Sequence, residues 1–221
     1  MKAMILAAGR GNRLRPLTDK IPKPLLKVGK DTLIEHHIKK LAAADFESIV
    51  INTAHFGEQL HVYLGNGSQY NIPIEYSHEG EQALETGGGI ANALPLLGDK
   101  PFIIISSDIF TEISFNSNFK LTGLGMHLIM VSNPVHNPNG DFTGTELGIS
   151  GDQNRYTYSG VAYVNPRLFK HEKRAFPLID TIHDCIKHKN ISAEVFDGAW
   201  FDVGTASRMH AANKYALGLS L

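Results

Sequence analysis

The chain opens with a short apolar run, Lys2 to Ala8 (KAMILAA), that stops at Gly9. Such a run reads as a buried strand, and a strand buried on both faces needs a sheet with helices packed on either side. The rest of the first half supplies the helices. Thr32-Leu33-Ile34-Glu35 has the form of a capping box opening a helix to about residue 44, and Leu33, Ile34, Ile38, Leu41 and Ala42 recur at helical spacing. Residues 48–52 (SIVIN), 72–77 and 102–106 (FIIIS) read as strands, with helices over 56–64 and 89–96 between them. Strands and helices in alternation predict an α/β fold with a mostly parallel sheet and crossover helices on its faces.

The second half is less regular. Residues 126–132 and 159–164 read as strands separated by a Gly- and Asn-rich stretch, followed by a helix over 176–189, a strand pair near 193–203, and a last helix capped by Thr205. No repeat, low-complexity tract or linker breaks the chain, and 221 residues with 43% hydrophobic content suit a single α/β domain.

Composition excludes several classes. No stretch of 18 apolar residues is present and residues 1–9 lack the flanks of a signal peptide, so the expectation is a cytoplasmic protein without membrane contact. Cys185, the one cysteine, rules out an intramolecular disulfide and reads as a small core residue. His183, Asp184 and His188 on the same expected helix read as a solvated or capping set. A net charge of −1 argues against a nucleic-acid binder, yet residues 1–40 hold 10 of the 21 Lys and Arg and only 3 of the 22 Asp and Glu. A basic segment of that kind is either a solvated face or the seat of a compact polyanion such as a triphosphate.

Position favours the polyanion. In open α/β sheets, ligands bind beyond the carboxyl ends of the strands at a switch in strand order. Three segments stand there on this reading: the loop after Ala8, the stretch after Ser77, and Ser107-Asp108. Gly9 and Gly11 let the first loop bring backbone N–H groups close to phosphate oxygens. Neither the dinucleotide fingerprint nor the Walker form is present, since Leu14 occupies the third glycine's place and Arg10, Arg13 and Arg15 populate the loop. Arginine forks suit phosphate directly. Lys23, between Pro22 and Pro24, is expected to be extended and stiff. Asp108 and Asp202, each at a strand end, form the carboxylate pair that a Mg²⁺ site uses when substrate phosphates complete the coordination. Each of these features has an ordinary reading too, as a turn, a Pro-rich surface loop or a capping aspartate.

Leu6 to Leu25, LAAGRGNRLRPLTDKIPKPL, resembles the signature of the sugar-1-phosphate nucleotidyltransferases over about twenty positions. The resemblance implies a Rossmann-like single-domain nucleotidyltransferase fold, with Ala8, Gly9, Gly11 and Arg13 on the nucleoside triphosphate and Lys23 on phosphate at the reacting centre; Arg13 and Lys23 are the implied catalytic residues. Glu79 to Ala91 (EGEQALETGGGIA) is similar to the family's base-recognition loop, which implies base contacts from Glu79, Thr86, Gly87 and Gly88, although Glu79 stands where glutamine is frequent. The family's two metal-binding aspartates correspond to Asp108 and to Asp202 of WFDVGT, with Mg²⁺ as the implied cofactor.

For the acceptor, LETGGGI, NPVHNPNGDF (133–142) and WFDVGT are most similar to the N-acetylmuramate α-1-phosphate uridylyltransferases of bacterial cell-wall recycling. That similarity implies UTP and N-acetylmuramic acid 1-phosphate as substrates, with Asp141, Ser159 and Gly160 on the sugar. Arg155, Tyr156 and Thr157 replace the family's usual Glu-Lys pair. Mannose- or glucose-1-phosphate enzymes using GTP, UTP or dTTP are the alternative, then a silent nucleotide-sugar-sensing subunit of the same fold. Residues 1–110 form the expected nucleotide half and 111–221 the sugar half. The oligomeric state stays open, a monomer being compatible.

Overall fold

The computed structural model describes residues 1–80, 84–123, 125–170 and 174–219, so residues 81–83 of the expected base-recognition segment lie outside the described residues. Along the chain, β1 (Ala3–Leu6) is followed by the small hairpin β2 (Lys27–Val28) and β3 (Asp31–Thr32), then α1 (Leu33–Ala43), β4 (Ile49–Thr53), α2 (Gly57–Leu64), β5 (Ile74–His78) and α3 (Glu85–Leu97). Then come β6 (Phe102–Ser106), β7 (Ile109–Thr111), β8 (Met126–Val131), β9 (Phe142–Thr143) and β10 (Arg155–Val164). The chain ends with α4 (Leu178–Lys187), β11 (Ile191–Phe196), β12 (Trp200–Asp202) and α5 (Ala206–Ala216).

The main sheet has the order β11-β8-β10-β6-β1-β4-β5, with β9 paired to β10. β1 pairs parallel with β4 and β6, β4 with β5, and β11 with β8; β10 runs antiparallel to both β6 and β8. Strand order steps outward from β1 through β4 to β5, then returns to the other side of β1 with β6. The switch point therefore lies beyond the carboxyl ends of β1 and β6.

Side-chain parity builds two cores on this sheet. Ala3 and Ile5 of β1 and Ile103 and Ile105 of β6 pack on one face with Ile34, Ile38 and Leu41 of α1 and Leu60 and Leu64 of α2. Met4, Phe102 and Ile104 pack on the other with Ile90, Ala93 and Leu97 of α3 and Ile182 and Cys185 of α4. Burial pushes the Cys185 thiol up to about 11, in keeping with a packing role. A third, smaller cluster joins Leu14, Leu26, Val28 and Leu33 to Phe110, Val203 and Ala212. It ties the first loop and the β2–β3 hairpin to β7 and α5. No helix among the described residues is long and apolar enough to cross a membrane.

The capping box of α1 is present: the Thr32 hydroxyl accepts from Glu35 N and the Glu35 carboxylate accepts from Thr32 N. Thr205 caps α5, accepting from Arg208 N. Four expectations change. Helix α3 starts at Glu85 rather than 89, because its three glycines serve packing: a Cβ on Gly87 would come within 2.4 Å of the Phe176 ring, one on Gly88 within 2.4 Å of the Arg174 carbonyl, and one on Gly89 within 2.4 Å of Glu79 Oε1. The strands in 193–203 do not pair with each other; β11 extends the main sheet on β8 and β12 forms a ribbon with β7. β10 begins at Arg155, so Arg155, Tyr156 and Thr157 lie within a strand. Finally, Lys23 opens a single 3₁₀ turn, with Leu26 N donating to its carbonyl, between the extended Pro22 and Leu26.

Candidate active site

A cavity of about 960 Å³ opens at the switch point. Its floor is the loop from Ala8 to Leu14, and its walls come from the residues that follow β4, β5 and β6, with Thr86 at the start of α3 and Gly204 before α5. That volume fits a nucleotide-sized ligand. Gly9 has nothing within 4 Å of where a Cβ would stand, so its Cα borders open space. Gly11 adopts φ +66, and a Cβ there would press within 3.0 Å of Thr18 and 3.2 Å of Lys23. The glycine thus turns the chain and lets the lysine segment close against the loop. Arg10 and Arg13 are exposed and border the cavity, whereas Arg15 pairs with Asp19 at 3.2 Å outside it.

Lys23 is 8% exposed, and its Nζ donates to Asp108 Oδ2 at 2.7 Å. Asp108 follows β6, whose end is fixed to β1: Ser107 N and Ser107 Oγ both donate to the Leu6 carbonyl, at 3.1 and 2.6 Å. The Pro-flanked lysine and the strand-end aspartate, far apart in sequence, are thus one ion pair on the cavity wall.

Asp202 stands on the neighbouring ribbon. β12 pairs with β7 so that Asp202 lies opposite Ile109, and Val203 N donates to the Asp108 carbonyl at 2.9 Å. Asp202 Oδ2 accepts from Arg208 Nη1 at 2.9 Å and lies 3.3 Å from His136 Nε2. Its Oδ1 is buried without a hydrogen-bond partner. Gly204, which does border the cavity, has no side chain to cover that oxygen: a Cβ there would stand 2.9 Å from Oδ1. Asp108 thus stands just before β7 and Asp202 at the paired end of β12, outside the cavity lining, and hard oxygen donors with one buried lone oxygen suit a divalent cation such as Mg²⁺ completed by phosphate oxygens.

On the base side, Glu79 is buried and borders the cavity. Its Oε1 accepts from Asn52 Nδ2 at 2.6 Å, while Asn52 Oδ1 accepts from Ala7 N at 2.7 Å. Burial raises the Glu79 carboxyl above the usual carboxylate range, with the Asn52 hydrogen bond opposing it. Thr86 borders the cavity with Glu79; Gly87 and Gly88 are not among its lining residues and fill their space with Phe176 and Arg174 instead. His55, Phe56 and His78 complete this wall, with the His55 and Phe56 rings 3.9 Å apart.

The expected sugar residues are not in the cavity lining. Asp141 accepts from Asn137 Nδ2 at 2.9 Å and from Tyr158 N at 2.8 Å, stapling the 133–141 loop to β10. Ser159 and Gly160 form a bulge in β10, where the Ser159 carbonyl accepts from Trp200 Nε1 at 2.9 Å and a Gly160 Cβ would lie 2.8 Å from Ser106 Oγ. Ser106 does line the cavity, so the bulge abuts its wall.

Three participants escape a reading of the sequence. Asn52 leaves a signal, as a polar residue closing an apolar strand beside the switch point. Arg208 follows Asp202 by six residues across a Gly-Thr turn, a spacing that puts it back over the aspartate once Thr205 caps the helix. His136 leaves none, because it reaches Asp202 only through the tertiary fold.

Residues 2–132 match the model of the family described as nucleotidyl transferase. The chain is 42% identical over 98% of its length to an N-acetylmuramate α-1-phosphate uridylyltransferase of Neisseria meningitidis serogroup B, 98% of which is covered. It is 43% identical over 48% of its length to a protein of the same description from Caulobacter vibrioides, covering 45% of that chain. A crystal structure from Bacillus anthracis, of a candidate glucose-1-phosphate thymidylyltransferase with sucrose, superposes with a TM-score of 0.87 over 100% of this chain and 97% of that one, at 21% identity, which speaks for the fold. With the family model spanning more than half of the sequence and a relative aligned almost end to end, the chain belongs to the nucleotidyl transferase family.

Proposed function

We propose that the cavity carries out uridylyl transfer from UTP to N-acetylmuramic acid 1-phosphate, giving a nucleotide sugar for cell-wall recycling and pyrophosphate. The observation that carries this reading is the meeting of the Gly9–Gly11 loop, Lys23 and Asp108 at the switch point, with Asp202 on the adjoining ribbon. The acceptor phosphate is already anionic near neutral pH and needs no general base. Its oxygen attacks the α-phosphorus in line, the bond from that phosphorus to the bridging oxygen breaks, and pyrophosphate leaves with the electron pair. The obstacle is repulsion between two polyanions, so catalysis is positioning and charge neutralisation.

In this reading Ala8, Gly9 and Gly11 present backbone N–H groups to the triphosphate and Arg13 clamps it. Lys23 has three donors, so it can hold Asp108 and a reacting phosphate together. Asp108 and Asp202 hold Mg²⁺, which when bound neutralises charge on the transferring phosphate. Thr86 and Glu79 face the base, with Gly87 and Gly88 supporting that wall from behind. Because Asn52 already occupies Glu79 Oε1, the carboxylate is better matched to the single N3–H of uracil than to the paired N–H groups of guanine. Residues 1–110 serve the nucleotide, and residues 111–221 serve the sugar through Asp141 and the Ser159–Gly160 bulge.

Pyrophosphate release measured with UTP, GTP, dTTP and ATP against N-acetylmuramic acid 1-phosphate, glucose 1-phosphate and mannose 1-phosphate tests the proposal. The highest kcat/KM is expected for UTP with N-acetylmuramic acid 1-phosphate. A preference for GTP would overturn the uridylyl assignment, and no release with any pair would overturn the transferase reading.

A further inference from the structure

Arg208 stands outside the roles above, yet it makes the shortest contact to Asp202. Its Nη1 lies 2.9 Å from Oδ2, and both side chains are about four-fifths buried, at 19% and 22% exposure. Its backbone is fixed by the Thr205 cap, and its Nε is buried without a partner. Gly204 makes the approach possible: a Cβ there would stand 2.3 Å from Arg208 Nη2. The second aspartate has a matching cation, Lys23, 2.7 Å from Asp108. Each carboxylate is thus faced by a basic side chain, with His136 beside the same Asp202 oxygen.

We infer that Arg208 is a positioning residue that engages Asp202 Oδ2, leaves Oδ1 for the metal, and keeps the site closed to free divalent cation. The inference rests on the proposed reading of Asp108 and Asp202 as metal ligands. A carboxylate pair already neutralised exerts little net attraction on a free dication. A metal–triphosphate complex carries net negative charge, and it meets Arg10, Arg13 and Lys23 on the cavity wall. The cation then arrives with the nucleotide rather than ahead of it.

Mn²⁺ binding to the nucleotide-free full chain, followed by electron paramagnetic resonance, provides the test. Wild type is expected to bind weakly, and Arg208→Met and Arg208→Gln at least about tenfold more tightly, since each removes a charge in contact with the ligand carboxylate. Arg208→Lys keeps the charge and should bind as weakly as wild type. A purely structural tie between α5 and β12 would not tighten metal binding when cut, and the Gln variant, which retains a polar side chain, carries the test if Met disturbs α5. Met and Gln variants that bind no more tightly than wild type overturn the inference. Adding Asp202→Asn to Arg208→Met should abolish the gain; a gain that survives would put the metal elsewhere and defeat the metal reading itself.

Discussion

Asp108 stands in the turn between β6 and β7 and Asp202 at the end of β12, and they are placed by different means. Asp108 belongs to the regular half: it follows a strand inside the main sheet, and Ser107 locks that strand's end to β1 through two hydrogen bonds. Asp202 belongs to the irregular half. It ends a three-residue strand whose partner is the equally short β7, and it depends on the third cluster, through Phe110 and Val203, and on Arg208 for its setting. The sheet positions one carboxylate through backbone repetition, while side-chain packing and charge position the other. Perturbations of packing should therefore reach the Asp202 side first.

The largest effects should come from the carboxylates themselves. Asp108→Asn and Asp202→Asn are each expected to lower kcat by at least about a hundredfold, since an amide is a poor Mg²⁺ ligand. Steady-state pyrophosphate release checks this, and near-normal activity of either variant with Mg²⁺ would remove the two-aspartate site. Next come the cations of the nucleotide half. Lys23→Ala should lower kcat by roughly 10- to 100-fold, whereas Arg13→Ala should act at least as strongly on the KM for UTP, because Lys23 is buried against Asp108 and Arg13 is an exposed residue of the loop. Equal, small changes in both constants for both variants would undo the distinction.

Val203→Ala probes the comparison through packing. Val203 is fully buried in the third cluster, so its truncation should cost about 1 to 3 kcal/mol in denaturant unfolding. Its kinetic signature should be a fall in kcat with a smaller rise in the KM for UTP, since only Leu14, at the far end of the loop under the triphosphate, shares that cluster.

The smallest effect is expected from Glu79→Gln. Burial raises the Glu79 carboxyl, so the folded chain holds that proton more tightly than the unfolded chain does. The charged form therefore costs stability, with the cost appearing as pH rises through the usual carboxylate range and complete above the raised value. Glutamine escapes that cost while its one oxygen still accepts from Asn52 Nδ2, and the Leu84 N–H that also reaches the carboxylate loses a charged partner, which keeps the gain small. Thermal melts should show the variant slightly more stable than wild type at neutral pH and the gap closing toward low pH, with UTP turnover retained. A gap that widens in acid would contradict the burial argument.

The same contrast explains what the sequence reveals. Around Asp108, local rules suffice: the apolar runs that become β1, β4 and β6, the Thr32–Glu35 capping box and the glycine loop can all be read from spacing alone. Lys23 is the exception, because the proline rule predicts extended backbone where packing against Gly11 and Asp108 imposes a turn. Around Asp202, tertiary context decides. β11 and β12 look like partners in sequence but find β8 and β7 instead. His136 and Arg208 acquire meaning only once the 133–141 loop and α5 close on the aspartate.

A double-substitution cycle tests most directly whether two differently built regions form one centre. Activity is measured for Asp108→Asn, Asp202→Asn and the combined variant under saturating UTP and acceptor. If both carboxylates hold the same Mg²⁺, the combined variant should lose little more activity than the worse single variant, because residues acting as a unit are strongly non-additive. A combined loss equal to the product of the two single losses would mean that the aspartates act independently, and would contradict the shared metal site.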